Sequence, residues 1–163
     1  MTLYAATDGA SRGNPGESGV GVIVRDESGR EVLSISGYLG TATNNVAEYT
    51  ALVLLLREIH NIPCTRLVVQ SDSELLVRQV NGKYKVKNPA LKRKFDEVQR
   101  LRAASPFALE LHYVSRTQNA EADRLANRGI DEKRVFINSR IPITQQVGQP
   151  RPAIGGMRKV RTP

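Results

Sequence analysis

Four acidic residues lie where the sequence predicts the ends or inner faces of core elements, namely Asp8, Glu48, Asp72 and Asp123. Burying several carboxylates together is unfavourable, because each charge loses its hydration and repels the others. A divalent cation removes this penalty, and Mg2+ prefers oxygen ligands. Four such acids therefore favour a centre for two Mg2+ ions, for which Mn2+ often substitutes at oxygen-rich sites. For any one acid alone, a turn, a helix cap or a surface position is the better explanation.

The first acid belongs to a run rich in glycine and polar side chains, residues 7–16 (TDGASRGNPG). The apolar residues 3–6 indicate a short buried strand, which is predicted to deliver Asp8 into a loop. Glycines let such a loop approach another molecule closely, while Ser11, Arg12 and Asn14 offer groups that bind phosphate or sugar. An ordinary hairpin turn, with Asp8 as a turn residue, explains the stretch equally well.

Strands and helices are predicted to alternate after an initial antiparallel meander. Hydrophobic alternation and β-branched runs predict strands over residues 3–6, 19–24, 32–38, 66–71 and 109–114. Apolar residues spaced three to four apart predict helices over residues 45–61, 74–80, 91–103 and 120–129. This order predicts a mixed α/β sheet with helices on its faces, and right-handed crossovers would bring Asp8 and Asp72 to the same edge.

Positive charge is concentrated in two regions of the chain. The net charge is +8, yet residues 1–132 hold 17 Lys and Arg against 16 Asp and Glu. Residues 133–163 hold the other 7 bases and no acid, and residues 83–94 hold 6 bases and no acid. Two basic regions around a nearly neutral core indicate a polyanionic partner such as nucleic acid. A solvated helix face and a solubilising tail would explain the same charges.

The composition narrows the class of protein. A chain of 163 residues is predicted to form one domain with a proper core. It has no apolar stretch long enough to cross a membrane and no signal-peptide pattern at its start, which predicts a cytoplasmic protein with no membrane partner. The one cysteine, Cys64, excludes a disulfide framework and a cysteine-based zinc site.

Four motifs resemble the signature motifs of type 1 ribonuclease H. They are residues 7–16 (TDGASRGNPG), 43–49 (TNNVAEY), 71–75 (SDSEL) and 119–126 (NAEADRLA). They occur in the family's order and span nearly all of residues 2–131. The resemblance implies an α/β, RNase H-like fold with a five-stranded mixed sheet of order 3-2-1-4-5, whose first three strands are antiparallel, flanked by helices.

The resemblance also implies endonucleolytic cleavage of the RNA strand of an RNA/DNA hybrid. The four acids Asp8, Glu48, Asp72 and Asp123 match the family's catalytic metal ligands. In the family, two Mg2+ ions roughly 4 Å apart flank the scissile phosphate. The products would carry 5′-phosphate and 3′-hydroxyl ends. No side-chain nucleophile is needed, which suits a sequence without a Ser/His/Asp or Cys/His arrangement.

Substrate contacts are expected on both strands of the hybrid. The 2′-hydroxyl distinguishes RNA from DNA, and the candidates to recognise it and the RNA strand are Gly9, Ser11, Asn14, Asn44 and Gln70. Contacts to phosphates are expected from Thr43, Lys85, Lys87 and Arg116. The alternatives are that Asn44 and Asn45 cap the helix that carries Glu48, and that Arg116 is a surface residue before a helix.

The sequence departs from the family pattern before the last motif and in the basic segment. Many members carry a His in a Gly-rich loop there, whereas residues 114–119 contain none, and the basic segment 83–94 is short and lacks Trp. No hybrid-binding domain is expected before Met1. Residues 1–132 are predicted to form the catalytic domain, and residues 133–163 a basic tail that is partly docked or disordered.

Three functions remain after these observations. The leading one is a metal-dependent endoribonuclease acting on hybrids, with double-stranded RNA as an additional candidate substrate and a monomer as the expected state. The second is a module that binds hybrids or double-stranded RNA without cutting, although such a module gains little from four mutually repelling carboxylates. The third is a nuclease of the same superfamily that acts on DNA or as an exonuclease.

Overall fold

The computed structural model describes residues 1–60, 62–140 and 159–162. Its helices are α1 (Asn44–Ile59), α2 (Glu74–Val80), α3 (Pro89–Ala104) and α4 (Ala120–Glu132). Its strands are β1 (Thr2–Arg12), β2 (Gly16–Arg25), β3 (Glu31–Ala42), β4 (Arg66–Ser71), β5 (Ala108–Tyr113), β6 (Val135–Ser139) and β7 (Lys159–Thr162). A short 3₁₀-helix, Arg116–Asn119, precedes α4. All nine elements predicted between residues 1 and 132 are therefore present.

The strands form one mixed sheet in the order β5-β4-β1-β2-β3-β6-β7. Strands β1, β2 and β3 are antiparallel neighbours, whereas β4 and β5 continue the sheet in parallel with β1. Read from the β3 side, the first five strands have the predicted order 3-2-1-4-5. The predicted number of five strands was wrong, because β6 and β7 extend the sheet beyond β3.

Strand β6 joins the sheet at the outer edge of β3. The pairs run from Leu33↔Ser139 to Gly37↔Val135. Burial of Val135 and Ile137 and pairing of backbone groups that β3 would otherwise leave exposed explain why this segment adds a strand. The domain division at residue 132 stays a prediction, and the predictions for residues 141–158 lie outside the described residues.

The first strand is longer than predicted, so Asp8 lies inside a strand and not after one. β1 pairs with β2 as far as Arg12↔Glu17, which leaves residues 13–15 as the turn. The prediction of a loop from Gly9 onward was wrong, because it used local glycine signals alone. Backbone pairing with a neighbouring strand outweighs such local preferences, particularly where small side chains fit between layers.

The main core lies between the sheet and α1, with α3 packed against the outer side of α1. Helix α1 is buried on nearly all sides, and Tyr49, Leu52 and Leu55 are at most 1 % exposed. Helix α4 covers the other face of the sheet, where Ala122 packs against Ala6 and Ile23. Across the described ranges, no helix is both long and apolar enough to span a membrane.

Thr43 caps the helix that carries Glu48. Its backbone is extended, and its Oγ1 accepts a hydrogen bond from the Val46 N–H at 3.2 Å. The alternative role of Asn44 and Asn45 as caps does not apply, because the helix begins at Asn44 and Thr43 is its cap. A Thr at this position satisfies one of the free N–H groups at the helix start.

Candidate metal centre

Three carboxylates meet beside the end of β4. The last pair between β1 and β4 is Thr7↔Ser71, so Asp8 is the first β1 residue beyond its parallel neighbour. Asp72 follows β4 directly, and Glu48 reaches the same place from the N-terminal part of α1. One carboxylate oxygen of each of these three side chains lies within 4.8 Å of the other two. The predicted meeting of Asp8 and Asp72 at one edge of the sheet is present.

Gly9 allows α1 to approach β1 closely enough to deliver Glu48. A Cβ atom at Gly9 would lie 2.3 Å from the carbonyl carbon of Ala47 and from the amide nitrogen of Glu48. Such distances are far below van der Waals contact, so a larger residue would push the helix and the strand apart. The contact of Gly9 with substrate stays a prediction. The observed role of Gly9 is in packing, because it lets α1 and β1 come this close.

Burial and mutual repulsion perturb the carboxylates. Asp8 is 4 % exposed and Glu48 is 7 % exposed. Burial raises the pKa of Asp8 far above its usual value, and the charges of Glu48 and Asp72 raise it further. Burial also raises the pKa of Glu48, as does the charge of Asp72, while hydrogen bonds from Asp8 and the Gly9 N–H oppose the rise. The protein thus holds Asp8 and Glu48 where water is largely excluded, which favours the protonated form of each while no cation is bound.

These residues fit a hard divalent cation. All three donors are carboxylate oxygens, which Mg2+ prefers. The buried Oε2 atom of Glu48 has no hydrogen-bond partner within the described part of the chain. A buried carboxylate oxygen without a donor is unfavourable unless a cation neutralises it. Asp8, Glu48 and Asp72 would therefore hold the ion.

Asp123 lies beside this group and not within it. It is half-buried in the first turn of α4, and its charge adds to the raised pKa of Glu48. Its Oδ1 accepts a hydrogen bond from Asn127 Nδ2 at 3.3 Å. The structure thus brings three of the four predicted acids together and places the fourth next to them. A metal-binding role for Asp123 stays a prediction.

Asn119 fixes the start of α4 against β1. Its side chain is 1 % exposed, and its Nδ2 donates to the Thr7 carbonyl at 2.9 Å. An Asn directly before a helix favours a side-chain cap, but Asn119 makes no such bond to α4. Gln70 supports the same junction by donating to the Gln118 carbonyl at 2.9 Å. The sequence did not indicate that Asn119 links α4 to β1. The contact of Gln70 with RNA stays a prediction.

The predicted RNA contacts join the hairpin turn to the start of α1. Asn14 Oδ1 accepts a hydrogen bond from the Asn44 N–H at 3.1 Å, and both residues are exposed. Ser11 Oγ donates to the Ala42 carbonyl at 3.0 Å, and the Thr43 hydroxyl is engaged at the helix cap. These bonds hold the hairpin, the end of β3 and the start of α1 together as one surface.

The exposed part of the basic segment is anchored to the core through its backbone. Lys85 and Lys87 are exposed between α2 and α3, and the Lys85 carbonyl accepts from Gln79 Nε2 at 3.3 Å. Gln79 in turn accepts from the buried Tyr49 hydroxyl at 2.6 Å. Lys94 is half-buried on α3, and burial, followed by the charge of Arg57, lowers its pKa.

Two other basic residues, Lys92 and Arg116, differ in their interactions. Lys92 pairs with Asp96 at 2.5 Å on the exposed side of α3. Arg116 is exposed at the start of the 3₁₀-helix that precedes α4. Lys85, Lys87 and Arg116 are therefore the exposed cations among the predicted phosphate contacts, and those contacts stay predictions.

The metal-free protein is expected to lose stability as the pH rises. The raised pKa values of Asp8 and Glu48 mean that the folded state keeps protons that the unfolded chain releases near pH 4. The stabilising effect of these protons is complete below the pKa values of the unfolded chain. It is lost as the pH rises through the pKa values of the folded protein. Each extra proton retained corresponds to about 1.4 kcal/mol per pH unit. Urea unfolding in chelator between about pH 5 and pH 8 measures this loss.

A variant and added Mg2+ serve as controls for this unfolding experiment. Glu48→Gln should flatten the decrease, because one of the repelling charges is absent. Added Mg2+ should stabilise the protein more at the higher pH, where the carboxylates are ionised. A free energy of unfolding that rises with pH in chelator would contradict the expectation.

The sequence matches a known family and several named relatives. Residues 6–129 match the family described as reverse transcriptase-like. Ribonuclease H of Methylococcus capsulatus is 33 % identical over 145 residues, which cover 80 % of this chain and 90 % of the relative. Ribonuclease HI of Halobacterium salinarum is 34 % identical over 134 residues, covering 80 % of this chain and 65 % of the relative. A bifunctional protein of Mycobacterium tuberculosis is 41 % identical over 133 residues, or 80 % of this chain and 36 % of that protein.

Solved structures share the fold. LC11-RNase H1 in complex with an RNA/DNA hybrid is 40 % identical with a TM-score of 0.77, and the match covers 80 % of this chain and 98 % of that one. The N-terminal RNase H domain of the M. tuberculosis protein is 36 % identical with a TM-score of 0.76, covering 80 % and 100 %. The chain therefore belongs to the type 1 ribonuclease H family and has an RNase H-like α/β fold. It spans 36 % of the length of the mycobacterial relative and 65 % of the halobacterial one.

Proposed function

We propose that this protein is a ribonuclease H that cleaves the RNA strand of RNA/DNA hybrids by metal-dependent hydrolysis. The observation that carries the proposal is the group formed by the buried Asp8 and Glu48 and the half-buried Asp72, in which one carboxylate oxygen of each lies within 4.8 Å of the others. Membership of the type 1 ribonuclease H family and the hybrid complex of LC11-RNase H1 support it. A pure binding module would gain nothing from this unfavourable concentration of charge.

The chain contributes ligands and not a nucleophile. Asp8, Glu48 and Asp72 would hold the metal, with Asp123 as the fourth acid. The chemistry supplied by two bound Mg2+ ions would be activation of a water molecule and stabilisation of the departing ribose 3′-oxygen. Burial keeps the carboxylates fixed and bulk water away, while the Gly9 N–H orients Glu48. Hydrolysis of this type leaves 5′-phosphate and 3′-hydroxyl ends.

Substrate choice would depend on the surface formed by the hairpin and the start of α1. Recognition of RNA requires hydrogen bonds to the 2′-hydroxyl. Asn14 and Asn44 are exposed and polar. The hydrogen bond from the Asn44 N–H to the Asn14 side chain joins the hairpin to the helix that carries Glu48. A 2′-hydroxyl bound there would position its strand relative to the carboxylates.

Cleavage of matched duplexes tests the choice of substrate. The protein would be incubated in Mg2+ or Mn2+ with three labelled duplexes of the same sequence. They are a hybrid labelled on its RNA strand, a double-stranded RNA and a DNA duplex. We expect internal cuts in the hybrid RNA with either metal, and no cuts in the DNA duplex. Tight binding of the hybrid without cleavage would favour the binding module, whereas cleavage of the DNA duplex would favour a nuclease of the same superfamily. Cleavage of double-stranded RNA would add that substrate.

The exposed lysines between α2 and α3 are expected to bind the phosphate backbone of the DNA strand. Replacement of Lys85 and Lys87 by Glu should weaken hybrid binding and make it less sensitive to salt. Each lost phosphate contact lowers the slope of log K against log salt by about 0.9, so the slope should fall by roughly 2. Binding titrations at several salt concentrations, with the hybrid and without divalent metal, measure this change.

A matched double variant separates local contact from net charge. Arg30 and Arg140 are also exposed, but they lie at the opposite end of the sheet, where Arg30 precedes β3 and the Arg140 N–H donates to the Val32 carbonyl. Charge reversal of both should lower affinity only slightly and leave the salt slope nearly unchanged. Equal effects of the two double variants would contradict a specific role for Lys85 and Lys87.

A further inference from the structure

A second set of contacts links the β1–β2 hairpin to Asp123. Asn127 lies one turn after Asp123 on α4, and its Nδ2 donates to the Asp123 carbonyl at 3.0 Å and to Oδ1 at 3.3 Å. The Oδ1 atom of Asn127 accepts a hydrogen bond from Arg12 Nη2 at 3.2 Å. Arg12 also pairs with Asp131 at 2.7 Å. The carboxylate of Asp123 is thus connected through one amide to a cation on the hairpin.

Arg12 determines the orientation of the Asn127 amide. A guanidinium group donates hydrogen bonds and accepts none, so it must face the carbonyl oxygen of an amide. The NH2 group of Asn127 is then directed toward Asp123. Without Arg12 the amide could rotate by half a turn and place its oxygen against the Asp123 carboxylate, where two acceptors repel each other.

We infer that Asn127, oriented by Arg12, is a positioning residue for Asp123. The amide holds Oδ1 and aligns the carboxylate while leaving its charge intact, so that Oδ2 is available to a divalent cation. Partners behind a metal ligand commonly orient it in this way, and their loss weakens metal binding roughly 10- to 100-fold. The inference rests on the proposed function, in which Asp123 is the fourth acid of the metal centre.

A purely structural role would have a different consequence. If Arg12 and Asn127 only tied the hairpin to α4, breaking the Arg12–Asp131 pair would disturb the same connection. Asp131→Asn is therefore the matched control, because it removes that ion pair and leaves the hydrogen bond between Arg12 and Asn127. Positioning of Asp123 requires Asn127 and Arg12, and it does not require Asp131.

Calorimetric titration with Mn2+ in the absence of nucleic acid tests the inference. We expect Asn127→Ala to weaken Mn2+ binding roughly tenfold. Arg12→Ala should weaken it by a smaller factor, because the amide still adopts the donating orientation part of the time. The double variant should bind as weakly as Asn127→Ala alone, and Asp131→Asn should bind within about twofold of the wild type. Alanine favours helix, so loss of the fold is not expected at position 127.

Hybrid cleavage provides a second readout. The Mg2+ concentration needed for half the maximal rate should rise in Asn127→Ala, while the KM for hybrid stays unchanged. Wild-type Mn2+ affinity in Asn127→Ala, or additive effects of the two single variants, would overturn the inference.

Failure of the proposed function has a different signature. A wild-type protein that binds Mn2+ but leaves the hybrid intact would refute the proposed function and leave the positioning role standing. A wild-type protein that does not bind Mn2+ would overturn both.

Discussion

Replacement of Asp8 by Asn is expected to lower the rate of hybrid cleavage by about 1000-fold or more. The substitution keeps the size of the side chain and removes one charged ligand from the group formed with Glu48 and Asp72. Stabilisation by metal is worth several kcal/mol in the transition state, and each 1.36 kcal/mol lost is a tenfold decrease in rate. Initial rates at saturating Mg2+ and hybrid measure the effect.

The same substitution should stabilise the metal-free protein near pH 8. Asp8 is buried beside two other acids, so the folded state must either hold a proton on Asp8 or accommodate its charge, and Asn removes both costs. Glu31→Gln, an acid at the other end of the sheet, should change neither the rate nor the stability appreciably. An Asp8→Asn variant that keeps a tenth or more of wild-type activity would contradict the role of Asp8 as a metal ligand.

Gly9→Ala is expected to destabilise the fold by roughly 3 kcal/mol and to remove most of the cleavage activity. The added Cβ would lie 2.3 Å from backbone atoms of Ala47 and Glu48, so α1 must move away from β1. Overpacking of this kind costs about 1–3 kcal/mol. Activity should fall further than the folded fraction does, because the movement separates Glu48 from Asp8. Urea unfolding and rates per folded molecule measure the two effects.

Gly129→Ala is the matched control for this prediction. Its added Cβ would lie 2.6 Å from backbone atoms of Gly37, at the far end of α4. We expect a comparable loss of stability with cleavage retained in the folded fraction. Wild-type cleavage per folded molecule in Gly9→Ala would show that the close contact of α1 and β1 does not position Glu48.

The positions of three acids were predictable because each depends on a local pattern. Glu48 lies on the apolar stripe of a helix and is buried, as that stripe predicts. Asp72 follows a short β-branched strand, and a parallel crossover takes it to the same edge as Asp8. The strand that contains Asp8 was misjudged, because Gly9 and Gly13 favour a loop locally, whereas pairing with β2 continues the strand to Arg12.

The contacts around the acids depend on distances between elements, which a single sequence does not specify. Nothing local shows that a Cβ at Gly9 would meet the backbone of α1, whereas a Cβ at Gly29 would meet nothing within 4 Å. The bond from Asn119 to Thr7 spans 112 positions, and the bond from Arg12 to Asn127 spans 115. Such pairs become visible when α4 is placed on the sheet. Strand β6 was missed as a strand because its five residues have a weak alternating pattern.

Analysis of the cleavage products in the presence and absence of metal tests the proposed function most directly. A hybrid with a 5′-labelled RNA strand would be incubated with the wild-type protein in Mg2+, in excess chelator, and in chelator followed by restored Mg2+. The buried carboxylates predict internal cuts with 5′-phosphate and 3′-hydroxyl ends in Mg2+, none in chelator, and recovery when Mg2+ is restored. Undiminished cleavage in chelator, or 2′,3′-cyclic phosphate ends, would contradict metal-dependent hydrolysis at Asp8, Glu48 and Asp72.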